Sequence, residues 1–129
     1  RAILTDQVQY NPYWSQTELH DYCRIHDVAL TAYSPLAHGG VLDDPVLEEI
    51  GARYEKTAAQ IALRWLVQQP NVLTVPKATR REHLADNIDV FDFELTDEEM
   101  DRIYRPSEPR AMASFLKGRF RGARNACPL

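Results

Sequence analysis

Three short strand-like runs, the alternating Ile3 to Tyr10 and the more apolar Val28 to Tyr33 and Val72 to Val75, are separated from one another by segments patterned as helices. This alternation constrains the fold most, because strands joined through helices pair in parallel by right-handed crossovers. A parallel sheet needs helices on its faces, so the chain reads as α/β. A doubly wound sheet and a barrel both satisfy that requirement, and periodicity does not choose between them.

Local signals mark the boundaries. Asn11 and Pro12 stop the first run. Ser15 with Glu18 three residues on forms a capping box, heading a helix whose buried side is expected to hold Leu19, Tyr22, Cys23 and Ile25. The second run enters a loop containing Gly39 and Gly40. Asp44 and Pro45 then open a helix as N-cap and first-turn proline, with Val46, Leu47, Ile50 and Tyr54 near helical spacing. Thr57 and Gln60 make a second capping box, and Ala58, Ile61, Ala62, Trp65 and Leu66 form the strongest apolar stripe, ended by Pro70. A short helix from about Arg80 to Asn87 follows the third run. Thr96 and Glu99 make a third box, with Leu95 placed to pack on Met100.

At 129 residues, 44% hydrophobic and 26% charged, the chain has apolar material for one core. No run approaches the roughly 20 apolar residues of a membrane span and no signal peptide opens it, so a cytoplasmic protein away from membranes is expected. A net charge of −4 argues against a nucleic-acid partner. The last stretch reverses sign through Arg110, Lys117, Arg119, Arg121 and Arg124, and reads as a solvated end. Cys23 and Cys127 have neither metal-ligand nor redox spacing, which suits a reducing compartment. His20 and His26, six apart, do not share a helix face, so no metal site is expected. The chain opens on Arg1, directly on a strand-like run, and reads as a fragment: residues 1–104 as one unit, 105–129 as a tail.

The chemistry collects at strand ends. The second run ends as AYSPLAHGG, the third as VPKATRREHLADN. A flat ring at one end, with a cationic turn and a helix N-terminus at the next, suits a dinucleotide: the ring stacks on a nicotinamide and the cations hold phosphate. Taken singly, Tyr33 also reads as a half-buried core aromatic, Lys77 as a solvated charge, Gln7 as an amide satisfying backbone groups, and Asp86 and Asn87 as helix-end residues. Trp65 reads as core. Trp14, just past a strand end, either touches substrate or covers the mouth of the site.

The segments DQVQYNPY, ELHDYCRIHDVALTAYSPLAHG, DDPVLEEIGARYEKTAAQIALRWLVQQ and PKATRREHLADNIDVFDFELTDEEM, in this order and spacing, resemble the aldo-keto reductases from about Leu4 to Ile103. The resemblance is greatest to bacterial and archaeal members of the 2,5-diketo-D-gluconate reductase type. It implies the last three strands and accompanying helices of a TIM (β/α)8 barrel, with functional residues towards the strand C-termini. It also implies a cofactor site: Gln7 on the nicotinamide carboxamide, Tyr33 stacked on the ring, Ser34 and Leu36 along the loop beside the pyrophosphate, Lys77, Ala78, Thr79 and His83 towards the adenosine phosphate, and Asp86 and Asn87 at the adenine; His38, in the glycine loop, is placed to line the cofactor channel. Trp14 is the substrate candidate. NADPH is the implied cofactor, with NADH also used, a small carbonyl compound the substrate, and a monomer the implied full-length state.

The resemblance defines gaps as well. The family's catalytic tetrad of Asp, Tyr, Lys and His comes from earlier strands and has no counterpart here, so no catalytic residue is assigned and the chain by itself is expected to be inactive. Ala78 and His83 stand where serine and arginine often bind the 2′-phosphate, and His83 lacks the guanidinium fork. Two readings follow: the cofactor-binding part of a carbonyl reductase, or a nicotinamide-binding regulatory or scaffold protein, as potassium-channel β-subunits of similar sequence are.

Overall fold

Thr5–Gln9 (β1), Ala29–Tyr33 (β2) and Val72–Thr74 (β3) form a parallel three-stranded sheet in the order β1-β2-β3 in the computed structural model, which describes residues 2–106. Between and after them come five α-helices, Thr17–Ile25 (α1), Pro45–Tyr54 (α2), Ala58–Val67 (α3), Arg81–Ile88 (α4) and Asp97–Ile103 (α5), with a 3-10 turn at Ala37–Gly39. The basic stretch from Arg110 to Arg124 and Cys127 lie outside the described residues. Among those described, no helix is long and apolar enough to cross a membrane.

The pairing Val8↔Ala32, Leu30↔Val72 and Gln9↔Tyr33 fixes which side chains share a face, because successive residues of a strand point to opposite sides. Leu30, Ala32 and Val72 are buried under the helices with Leu47, Ile50, Ile61, Trp65, Leu66 and Ile103. The opposite face carries Gln7, Tyr33 and Leu73 and is open; a hydrogen bond of 2.6 Å between the hydroxyls of Thr5 and Thr31 crosses it.

The caps of α2, α3 and α5 form as the sequence indicates. Asp44 Oδ1 accepts from the Val46 amide at 2.9 Å, and both the Thr57–Gln60 and Thr96–Glu99 boxes close reciprocally. Gln60 does more than cap: its Nε2 donates to the carbonyls of Asp86 and Asp89, each at 3.1 Å. Trp65 lies in the core as expected, its Nε1 donating to the Met100 carbonyl. At the end of α2, Glu55 turns left-handed (φ 57°) and the chain doubles back so closely that a Cβ on Gly51 would meet the Lys56 carbonyl at 2.3 Å, which requires glycine there.

The head of α1 differs from the sequence reading. Its N-cap is Gln16, without a side-chain capping bond, and the Ser15–Glu18 box does not form. The Ser15 hydroxyl is taken by the Tyr104 hydroxyl at 2.5 Å, and the Gln16 amide turns to the Gln9 carbonyl at 2.9 Å. The buried side differs too. Tyr22 and Ile25 are 59% and 78% exposed, and the covered residues are His20 and Cys23 with Leu19 partly so. A ring nitrogen of His20 bonds the Pro70 carbonyl at 2.8 Å, which turns that side of α1 inward and leaves Tyr22 against His26 outside.

Candidate functional site

Tyr33 is the last residue of β2, its side chain 42% exposed on the open face. Gln7 shares that face, but at the centre of β1 rather than near its end, opposite Thr31. Gln9 is the register partner of Tyr33, and its buried Nε2 has no hydrogen-bond partner among the described residues. Ring and amides therefore line one side of the sheet towards its C-terminal edge.

The loop that follows Tyr33 is wound tightly. Ser34, Ala37 and His38 all lie in the left-handed region, at φ 50°, 48° and 53°, which non-glycine residues seldom adopt. Backbone bonds close it: Ala37 N to the Ser34 carbonyl, Gly39 N to Leu36 and Gly40 N to Ala37. Asn11 joins it from the neighbouring loop, its Nδ2 donating to the Ser34 carbonyl at 3.2 Å. Trp14, half-buried, is in that same neighbouring loop, bridged to Asn11.

The third segment leaves β3 beside the second, because the Val75 amide bonds the Ala32 carbonyl at 3.1 Å. Lys77 and Thr79 are exposed, with Ala78 half-buried between them. Arg80, the N-cap of α4, makes no side-chain capping bond. The first-turn amides of α4 thus lack a side-chain cap beside the exposed cations Lys77, Arg80 and Arg81, although Glu82 in the same turn is acidic. His83, Asp86 and Asn87 share one face of α4 by their three- and four-residue spacing. His83 and Asp86 are exposed, while Asn87 is half-buried in an apolar cleft of about 350 Å³ with Leu63, Leu84, Ile88 and Phe91.

Behind the loops lies a buried clamp. Asp44, wholly buried, caps α2, accepts from the Tyr13 hydroxyl and pairs with Arg105 Nη2 at 2.5 Å. The Arg105 amide also bonds the Pro12 carbonyl at 2.8 Å, fastening the loop after β1. Burial pushes the Asp44 carboxyl up, but the Tyr13 hydroxyl, the Arg105 guanidinium and the Val46 amide outweigh it and hold it below its usual value.

A flat exposed ring, a nearby amide, surface cations and a helix start without a side-chain cap form a donor set that fits a planar heterocycle joined to phosphate. The sequence of residues 2–106 matches the profile of the aldo/keto reductase family. The chain belongs to that family. A glyoxal reductase of Bacillus subtilis (strain 168) is 42% identical over 100 residues, covering 78% of this chain and 36% of that reductase. The 9,11-endoperoxide prostaglandin H2 reductase of Trypanosoma cruzi (strain CL Brener) is 35% identical over 126 residues, 95% of this chain and 44% of that enzyme. Among solved structures, a mutant of Gox0644 in complex with NADPH superposes with a TM-score of 0.76 at 28% identity, covering 82% of this chain and 39% of that one. The chain spans less than half the length of these relatives.

Sequence reasoning for this member of the family missed Gln9, Asn11 as more than a strand stop, Asp44 as more than a cap, and Arg105. A signal for Asn11 was present, since Asn before Pro at a strand end favours a side-chain-closed turn. Arg105, which meets Asp44 across 61 residues, carries no local signal.

Proposed function

We propose that the chain is the C-terminal, cofactor-binding part of an NAD(P)H-dependent carbonyl reductase, contributing the last three strands of a (β/α)8 barrel. The observation that carries the reading is the exposed Tyr33 ring at the end of the central strand, with Gln7 on its face and the cation-flanked start of α4 leaving from the next strand. An open sheet face beside helices on the other suits a barrel interior completed by further strands.

In this reading Tyr33 stacks on the nicotinamide and Gln7 pairs with its carboxamide, offering both donor and acceptor. Ser34 and Leu36 line the pyrophosphate, and His38 the cofactor channel. Lys77, Ala78, Thr79 and His83 face the adenosine phosphate, and Asp86 and Asn87 the adenine. Trp14 borders the substrate. The bound cofactor supplies hydride to a small carbonyl compound. Proton donation belongs to residues outside this segment, and the full-length protein is read as a monomer of the cytoplasm. The NADPH complex of the similar Gox0644 supports the cofactor choice, while Ala78 and His83 favour use of NADH as well.

The full-length protein is expected to oxidise NADPH or NADH in the presence of aldehydes, and the segment alone to be inactive, since general acid catalysis is worth roughly 10² to 10⁴ in rate. A folded full-length protein that binds NADPH but remains inert to a panel of aldehydes, ketones and keto-sugars refutes the reductase and leaves a nicotinamide-binding regulatory protein.

A further inference from the structure

We propose that Asn11 is a positioning residue for the cofactor platform, holding Ser34 in its left-handed conformation and thereby setting how Tyr33 and the 34–38 turn meet the ligand. The inference rests on the cofactor reading above. Its basis is that Ser34 is disfavoured twice: a serine at φ 50° is uncommon, and a residue preceding proline, here Pro35, is driven towards extended backbone. Something must hold it.

Its carbonyl accepts two bonds, one from Ala37 N at 3.0 Å within the turn and one from Asn11 Nδ2 at 3.2 Å from outside it. Asn11 suits this role. It is fully buried, its Oδ1 accepts from Tyr13 N at 3.0 Å, and its carbonyl accepts from Trp14 N at 3.0 Å, so the amide is fixed with its NH2 group towards Ser34. Tyr13 is in turn held by Asp44, and Pro12 by Arg105, so the support for Ser34 is itself braced. The Tyr10 amide adds a bond to the Tyr33 carbonyl at 3.3 Å. The loop after β1 thus sets the geometry of the loop after β2 through one side chain.

Asn11→Asp isolates that link, because a carboxylate still accepts from Tyr13 N but cannot donate to Ser34. Asn11→Ser is the second variant, its hydroxyl being too short to span both partners. In the full-length protein, NADPH titrated by quenching of intrinsic fluorescence should bind roughly tenfold more weakly in either variant. kcat at saturating cofactor should change little. Glycine adopts the left-handed region without strain, so in a Ser34→Gly background the Asn11 substitution should cost only about two- to threefold.

Tyr33→Ala, measured alongside, separates the two layers of reasoning. If it weakens NADPH binding while folded Asn11 variants bind within about twofold of wild type, the positioning role is overturned and the cofactor reading stands. Strictly additive effects of Asn11 and Ser34 substitutions overturn it as well. If neither Tyr33→Ala nor the Asn11 variants change NADPH affinity, the cofactor reading itself fails.

Discussion

Replacing Asp44 tests the clamp behind the candidate site most severely. Asp44→Ala removes the acceptor for the amides of Val46 and Leu47, worth about 1 kcal/mol as a lost N-cap. It leaves the buried Tyr13 hydroxyl without this acceptor, at a cost of about 1 to 3 kcal/mol. Arg105 loses its carboxylate as well, but with its side chain 21% exposed it regains some hydration, so its share is well below the roughly 3 to 5 kcal/mol of a fully buried broken pair. The total, not strictly additive, is about 3 to 5 kcal/mol. Asp44→Asn keeps an oxygen for the cap and forfeits the charge, for about 1.5 to 3 kcal/mol. Urea unfolding of the full-length protein, followed by tryptophan fluorescence, should therefore rank wild type above Asn above Ala. The acid dependence has a definite sign. Because the folded carboxyl titrates below its usual value, its stabilisation is fully present above about pH 4 and fades as pH falls through the lower folded value. Asp44→Asn should lack that part of the acid-induced loss. If Asn and Ala are equally destabilising, or both cost less than about 1 kcal/mol, the charged clamp is not a stabilising element.

Tyr33→Ala should weaken nicotinamide binding by about 1 kcal/mol or somewhat more, measured by NADPH titration, while Tyr33→Phe should do little; equal losses would make the hydroxyl, not the ring, the contact. His83→Arg should raise the ratio of kcat/KM for NADPH over that for NADH by about tenfold at neutral pH, and an unchanged ratio removes His83 from the phosphate end. Thr74→Val should leave stability unchanged or raise it by up to about 1 kcal/mol in thermal unfolding, since the Thr74 hydroxyl is buried without a partner among the described residues; a marked loss would mean that the hydroxyl is satisfied in the full-length protein.

Much of the fold was legible because its signals are local. Asp44 with Pro45, Thr57 with Gln60 and Thr96 with Glu99 lie within one helical turn of one another, and each box or cap forms. The Ser15–Glu18 signal looked the same and failed because Tyr104, 89 residues away, claims the serine hydroxyl. The side of α1 that faces inward was misjudged for a similar reason, since Pro70 draws His20 inward across 50 residues. In the site, Tyr33 and the cationic start of α4 could be read from strand ends. The left-handed Ser34 could not, because serine before proline advertises an extended residue, and only the Asn11 amide from another loop makes the actual conformation intelligible.

Helix α4 has no buried residue, and its far end is held from the start of α3 by Gln60, which bonds the carbonyls of Asp86 and Asp89, and by Lys56, which bonds the Asp89 carbonyl at 3.2 Å. Local opening of such an element disturbs little packed surface, so its amides should exchange with solvent far sooner than those of β2, which is paired on both sides. A ligand spanning both would then be held by two grips of unequal lifetime. Detachment would begin at α4 and finish at Tyr33, making the rate of departure sensitive to substitutions at Gln60, whose Nε2 bonds the end of α4 rather than the open face.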